Sequence, residues 1–159
     1  MASSGLESYI QHGLLSSDNA QNKAEGVLNF LRKSLHSYAR LNLPFLSSAH
    51  LLVLKSPTSA SLHTDAAIRE AYNRLVALDQ HFEAMVLNHI ARRASTAQGI
   101  ALLTLYERAL APEVQSDAKG PRQQLAERMR KAVRTGEALG HLPIGFAAMT
   151  GACGLPLGA

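Results

Sequence analysis

The side chains of this chain best suited to chemistry are seven histidines and one cysteine. A helical metal site needs ligands three or four residues apart, and no two of these histidines have that spacing. The closest pair is separated by eight positions, or about 80° around a helix. We therefore predict individually placed histidines and no metal ligands within one subunit, which leaves open an ion shared between subunits. The histidines are His12, His36, His50, His63, His81, His89 and His141.

Nucleophilic or nucleotide chemistry finds little support in the sequence. Cys153 lies in an apolar Gly/Ala segment, where a free cysteine packs as a small hydrophobe, and a single cysteine forms no internal disulfide. The sequence contains no Gly-x-Ser-x-Gly elbow, no Gly-x-Gly-x-x-Gly and no Walker-type phosphate loop. A small hydrolase that uses His141 or Cys153 is thus a remote alternative, and we predict no enzyme and no cofactor.

Two carboxylates stand among apolar neighbours and need an explanation. Asp79 is predicted to cap a helix that restarts there, and Glu7 to favour the positive end of a helix that begins near it. The adjacent Arg92 and Arg93 are interpreted as a solvated pair rather than a site.

The elements that position these residues are predicted to be helices, so the fold class is all-α. Apolar spacing predicts helices over residues 5–15, 18–41, 45–54, 64–86, 89–110, 123–134 and 142–153. Val27, Leu31, Leu35 and Tyr38 form one stripe, which we expect to be buried in a bundle. Pro44 is expected to end the helix that carries this stripe. Loops are predicted over residues 56–61 and 111–121, and a helix break near residues 87–89.

Composition is consistent with one soluble domain. The chain has 159 residues, of which 47% are hydrophobic, and a net charge of +4. No apolar run is long enough to span a membrane and no signal peptide is visible, which predicts a cytoplasmic protein. The alternative function is a regulatory module that binds nucleic acid or an acidic protein through the basic helix 122–134. Its basic residues are Arg122, Arg128, Arg130, Lys131 and Arg134.

Three segments of the chain carry motifs that belong together. Residues 5–10 read Gly-Leu-Glu-Ser-Tyr-Ile, residues 78–103 contain Ala-Ser-Thr-Ala-Gln-Gly at 94–99, and residues 140–146 read Gly-His-Leu-Pro-Ile-Gly-Phe. In this order they resemble the Gly-Leu-Glu element, the central helices and the Gly-His-x-Pro element of the UreF family of urease accessory proteins. By this resemblance the partner-binding residues are Gly5, Leu6, Glu7, Tyr9, Arg93, Ser95, Gly99, His141 and Pro143.

The resemblance implies a UreF-like helical bundle that acts as a chaperone and not as an enzyme. Family members are usually dimeric and bridge the UreD/UreH scaffold protein and the GTPase UreG during delivery of nickel to the urease apoprotein. Nickel passes through that complex, so the resemblance implies no resident cofactor. The chain departs from the family pattern at both ends, because the element before Gly5 and the helices after Gly154 are missing. We therefore expect residues 1–159 to be one incomplete UreF-like domain.

Overall fold

A computed structural model describes residues 5–14, 20–56, 64–111 and 119–156. These residues form six α-helices and one π-helical turn, with no strand among them, and the prediction of an all-α fold is confirmed. Internal contacts divide the chain into two units, residues 1–42 and 43–159, which are taken one at a time below. No described helix combines the length and the apolar character needed to cross a membrane.

The first unit contains helix α1 (Leu6–Gln11) and the beginning of helix α2 (Ala20–Leu54). Gly5 adopts a left-handed conformation, φ 88°, directly before α1. The rings of Tyr9 and Phe30 pack 5.1 Å apart between centroids. Helix α1 ends at Gln11, earlier than the predicted Leu15, and residues 15–19 lie outside the described residues.

The apolar stripe predicted to be buried is largely exposed in this unit. Leu31, Leu35 and Tyr38 are 52%, 70% and 51% exposed, so the expectation that the bundle covers them was wrong. The helical spacing predicts that these residues share one face of a helix, but it does not predict whether another element packs against that face.

Helix α2 continues past Pro44, so the predicted interruption was also wrong. A proline inside a helix removes one backbone hydrogen bond and is usually disfavoured. Here Pro44 is exposed, so water can solvate the carbonyl that its missing N–H leaves unpaired. The hydroxyl of Ser47 also donates to the Leu43 carbonyl at 2.8 Å, which adds a hydrogen bond to the same turn. The segments predicted as two helices are therefore one.

The second unit is built from the end of α2 and from helices α3 (Thr64–Met85), α4 (His89–Leu105), α5 (Pro121–Thr135) and α6 (Leu142–Ala152). The predicted break lies at residues 86–88, where the Asn88 side chain caps α4 by accepting from the N–H groups of Ile90 and Ala91. A π-helical turn, Tyr106–Leu110, follows α4. Most of the two predicted loops falls in residues 57–63 and 112–118, outside the described residues.

Helix α6 packs against α4 and α5, and α3 packs against α5. The core of this unit consists of fully buried apolar side chains from every one of these helices. Among the largest are Val53, Ile68, Leu75, Phe82, Leu103, Leu125, Met129 and Ile144. Burial of such side chains stabilises a fold by about 1.5–3 kcal/mol each, and it fixes the helices around the segment that joins α5 to α6.

Candidate functional site: the Gly-His junction

The predicted site residues of the second unit meet at the segment between α5 and α6. We call this site the Gly-His junction and define it as residues 139–142 with Asp79 and Glu83 of α3 and Ser95 and Gly99 of α4. Gly140 has φ +75°, and a Cβ atom there would lie 2.8 Å from Cγ2 of Val133. Both the backbone conformation and the lack of space therefore require glycine at this position.

Asp79 is fully buried and binds the backbone of the junction. Its Oδ2 accepts hydrogen bonds from the N–H groups of Leu139 and Gly140 at 2.7 and 2.8 Å. Its Oδ1 accepts from the N–H of His141 at 2.8 Å. The prediction that Asp79 caps a restarting helix was wrong, because it lies inside α3 and its partners are about sixty residues away in the chain. A buried carboxylate that accepts three hydrogen bonds is a structural clamp.

His141 links α3 and α4 through a short polar chain. Its Nε2 lies 2.8 Å from Oε2 of Glu83, and Oε1 of Glu83 lies 3.1 Å from a guanidinium nitrogen of Arg92. Arg92 also donates from Nε to the carbonyl of Val86. The His141 side chain is fully buried, and its Nδ1 has no partner among the described residues. Because a carboxylate oxygen only accepts hydrogen bonds, the contact with Glu83 places a proton on Nε2 of His141.

Ser95 and Gly99 bring helix α4 against the junction. The hydroxyl oxygen of Ser95 accepts a hydrogen bond from the N–H of Leu142 at 3.1 Å. A Cβ atom at Gly99 would lie 2.1 Å from the carbonyl oxygen of Gly140, and one at Gly145 would lie 2.9 Å from the carbonyl oxygen of Gly99. The backbones of α4 and α6 therefore touch, which only glycine permits. Pro143 is buried in the first turn of α6.

The structure thus gathers four of the predicted site residues, namely Ser95, Gly99, His141 and Pro143, in one place. Arg93 is exposed on α4 and forms none of the hydrogen bonds described for the junction. The remaining predicted residues belong to the first unit, where Glu7 is exposed and Leu6 and Tyr9 are half-buried. Their assignment to partner binding stays a prediction.

Sequence reasoning missed one residue of the junction, Glu83, and its ion-pair partner, Arg92. Glu83 was not singled out, and Arg92 was interpreted as solvated although it pairs with Glu83. The available signal was the spacing of Asp79 and Glu83, four residues apart on a helix face that also carries the buried Leu75 and Phe82. Two carboxylates on an otherwise buried face require partners of their own.

The polar side chains of the junction hold backbone segments together. Its carboxylates and imidazole bind backbone N–H groups or one another, and no described group of three His, Cys, Asp or Glu side chains is arranged to hold a metal ion. Cys153 is outside the junction and exposed, so the expectation that it packs as a small hydrophobe was wrong. Burial of part of the thiol nevertheless raises its pKa, which disfavours the thiolate that a nucleophile requires.

The basic helix of the alternative function is partly engaged in contacts within the chain. Arg122 donates to the carbonyl of Leu54 at 2.7 Å, and Arg130 forms an ion pair with Glu107. A guanidinium nitrogen of Arg128 lies 4.0 Å from a carboxylate oxygen of Asp65. Three of the five basic residues therefore have intramolecular partners. Binding of nucleic acid or of an acidic protein by this helix stays an untested prediction.

Comparisons with known proteins agree with the motifs of the sequence. The family model UreF matches residues 21–159. "Urease accessory protein 6" of Cryptococcus neoformans is 29% identical to the chain over 185 aligned residues, which cover 99% of the chain and 58% of that protein. An "Uncharacterized urease accessory protein UreF-like" of Schizosaccharomyces pombe is 30% identical and matches 96% of the chain and 53% of its own length.

The chain therefore spans little more than half the length of these relatives. No solved structure matches it significantly. The family model nevertheless covers most of the chain, including the whole Gly-His junction. The chain belongs to the UreF family, which comprises urease accessory proteins and not enzymes.

Proposed function

We propose that the chain is an adaptor in urease maturation that bridges the UreD/UreH scaffold protein and the GTPase UreG while nickel is delivered to the urease apoprotein. The match of the family model to residues 21–159 is the observation that carries this proposal. Nickel is the cargo of the assembly, and the proposal assigns no resident nickel ion to this chain. We also propose that it acts in the cytoplasm and as a homodimer.

The geometry of the chain supports an adaptor in two ways. The polar side chains of the Gly-His junction are used to fix α3, α4 and α6 to one another, which gives a rigid platform. Apolar side chains of the first unit, such as Leu31 and Leu35, are exposed in a row at helical spacing. Contiguous exposed apolar side chains are typical of surfaces that bind other proteins.

Burial divides the predicted partner-binding residues into two roles. Gly99, His141 and Pro143 are buried, so their contribution is to hold the platform in shape. Glu7 and Arg93 are exposed charged residues and can touch a partner directly. We therefore assign partner contact to these two and a supporting role to the other three.

Co-purification tests the proposal. The chain is expressed with a tagged UreD/UreH protein, UreG and GTP are then added, and the complexes are separated by size. We expect a ternary complex, and we expect the substitution Arg93→Glu to weaken it while leaving the circular dichroism spectrum unchanged. The matched control is Arg69→Glu, which changes the charge of an exposed arginine on α3. A folded, helical chain that binds neither partner would contradict the proposal.

A further inference from the structure

An open groove runs between the end of α2 and the exposed side of α3 in the second unit. Its larger hollow has a volume of 490 Å³ and is lined by Leu51, Leu78 and His81 among others. A smaller hollow of 170 Å³ is lined by residues that include Lys55, Ala67 and Ala71. Leu52 and Arg74 line both hollows, so the two are neighbours along one groove.

The α3 wall of the groove has the repeat expected of a helix-packing seam. The α3 residues that line it recur at steps of one or three residues, and they are Ala67, Glu70, Ala71, Arg74, Ala77, Leu78 and His81. This is the spacing with which one helix packs alongside another at a shallow angle. From first to last the seam spans about 21 Å at 1.5 Å per residue, or roughly four helical turns. The alanines keep the wall low, so that a second helix can approach closely.

The groove presents apolar side chains together with two cationic ones, Lys55 and Arg74. Leu51 is 43% exposed there. Among the residues that the structure describes, Lys55 and Arg74 form no ion pair, although Glu70, one turn before Arg74, also lines the smaller hollow. Arg74 stands where the two hollows meet. A carboxylate that reached this point would pair with the guanidinium while apolar side chains one turn away filled the hollows.

One end of the groove is already rigid. The His81 ring packs edge-on against Phe45 with 5.3 Å between centroids, and Phe45 packs in the same way against the buried Phe82 at 5.1 Å. A wall that is ordered before a ligand arrives reduces the entropy lost on binding.

We propose that this groove is the docking site for an acidic amphipathic helix of a partner protein. The helix would insert apolar side chains at positions i, i+3 or i+4 and i+7 into the two hollows, and would place an Asp or Glu between them against Arg74. The volume of the larger hollow lies within the range of about 300–1,000 Å³ that is usual for binding clefts. This inference goes beyond the adaptor role, because it states the chemistry of the segment that binds the groove. That chemistry is the same whichever protein supplies the helix.

A labelled peptide tests the proposal with the full chain. The probe is a designed, fluorescein-labelled helical peptide with a leucine stripe and a central glutamate, and its binding is followed by fluorescence anisotropy. A matched peptide carries lysine in place of that glutamate. We expect the acidic peptide to bind and the lysine peptide to bind about tenfold more weakly or worse, because it places a cation against Arg74.

Two variants of the chain locate the binding. Arg74→Glu should weaken the acidic peptide by about tenfold or more and reverse the preference between the two peptides. Ala77→Arg should block the larger hollow, while Arg134→Glu on the exposed side of α5 is the matched control and should change nothing. Circular dichroism tests whether each variant is folded, and we expect all three to be folded because Arg74, Ala77 and Arg134 are exposed.

Three results would overturn the proposal. The first is equal affinity for the acidic and lysine peptides, and the second is binding that neither Arg74→Glu nor Ala77→Arg changes. The third is an Ala77→Arg variant that sediments as a monomer where the unmodified chain sediments as a dimer, since a second copy would then cover the groove.

Discussion

Substitution of Asp79 by asparagine isolates the contribution of the carboxylate clamp. The amide has nearly the shape of the carboxylate but only one acceptor oxygen, whereas Asp79 uses both oxygens to accept three hydrogen bonds. If the amide oxygen takes the place of Oδ2, the NH₂ group takes the place of Oδ1. Its nitrogen then faces the backbone N–H of His141, whose nitrogen now lies 2.8 Å from Oδ1. Two donors then face each other in a fully buried site, and the charge is lost from the remaining two hydrogen bonds.

The expected cost follows from these changes. A buried donor left without an acceptor costs about 1–3 kcal/mol, and a hydrogen bond to a charged group is worth about 1.5–3 kcal/mol. Because the amide oxygen retains part of the interaction, we expect Asp79→Asn to lower the free energy of unfolding by about 2–4 kcal/mol. For a chain of this size, that corresponds to a fall in melting temperature of roughly 5–15 °C.

Urea unfolding followed by circular dichroism measures this change, and the exposed Glu70→Gln on the same helix is the control, with an expected effect within about 0.5 kcal/mol. Amide hydrogen exchange gives a local readout, because the N–H groups of Leu139, Gly140 and His141 should lose protection in Asp79→Asn. An Asp79→Asn variant as stable as the unmodified chain, with these amides still protected, would refute the clamp.

Three further predictions test other parts of the structure. Gly99→Ala should lower the free energy of unfolding, measured in urea, by about 1–3 kcal/mol because the new methyl group meets the Gly140 carbonyl. Ala97→Ser on the exposed side of α4 should be nearly neutral in the same measurement. Burial raises the pKa of Tyr106 to about 12 from 10.0, so the unfolded chain loses this proton at lower pH than the folded chain. The free energy of unfolding should therefore fall as the pH rises from about 10 to 12, and Tyr106→Phe should reduce this fall. A Tyr106→Phe variant with the same alkaline unfolding profile as the unmodified chain would contradict the prediction. Glu7→Ala should lower GTP-dependent urease activation in a reconstituted maturation assay by about fivefold or more, the size expected for the loss of one important contact. The helicity of the chain should not change. Full activation by Glu7→Ala would count against a contact between Glu7 and a partner.

Local signals predicted the helices of the second unit well. The apolar repeats placed α5 and α6 within two residues of their observed starts and ends, and the break before α4 coincides with the asparagine cap at Asn88. Pro44 was misleading because its local preference against a helix interior is outweighed where the residue is exposed and water can take the place of the missing hydrogen bond. The π-helical turn at Tyr106–Leu110 had no sequence signal that we recognised.

The candidate site could be predicted only in part, because its contacts join residues far apart in the chain. Ser95, Gly99 and His141 were identified through family motifs, but their mutual contacts were not. Nothing near Asp79 in the sequence indicates that its partners lie about sixty residues further on, at Leu139 and Gly140. A buried carboxylate and a helix-capping carboxylate look alike when only their neighbours in sequence are known.

The place of α6 has a consequence for the order in which the second unit is assembled during synthesis. The backbone of this helix touches α4 at Gly99 and its Gly151 lies against Val53 of α2, while His50 binds Thr150 across a hundred residues of sequence. Helices α2 to α5 leave the ribosome before α6, so until residues 142–152 emerge they surround a position that nothing fills. Long-range closure of this kind slows folding. We expect the nascent unit to stay loosely packed and open to chaperones until α6 emerges and completes the core in one late step.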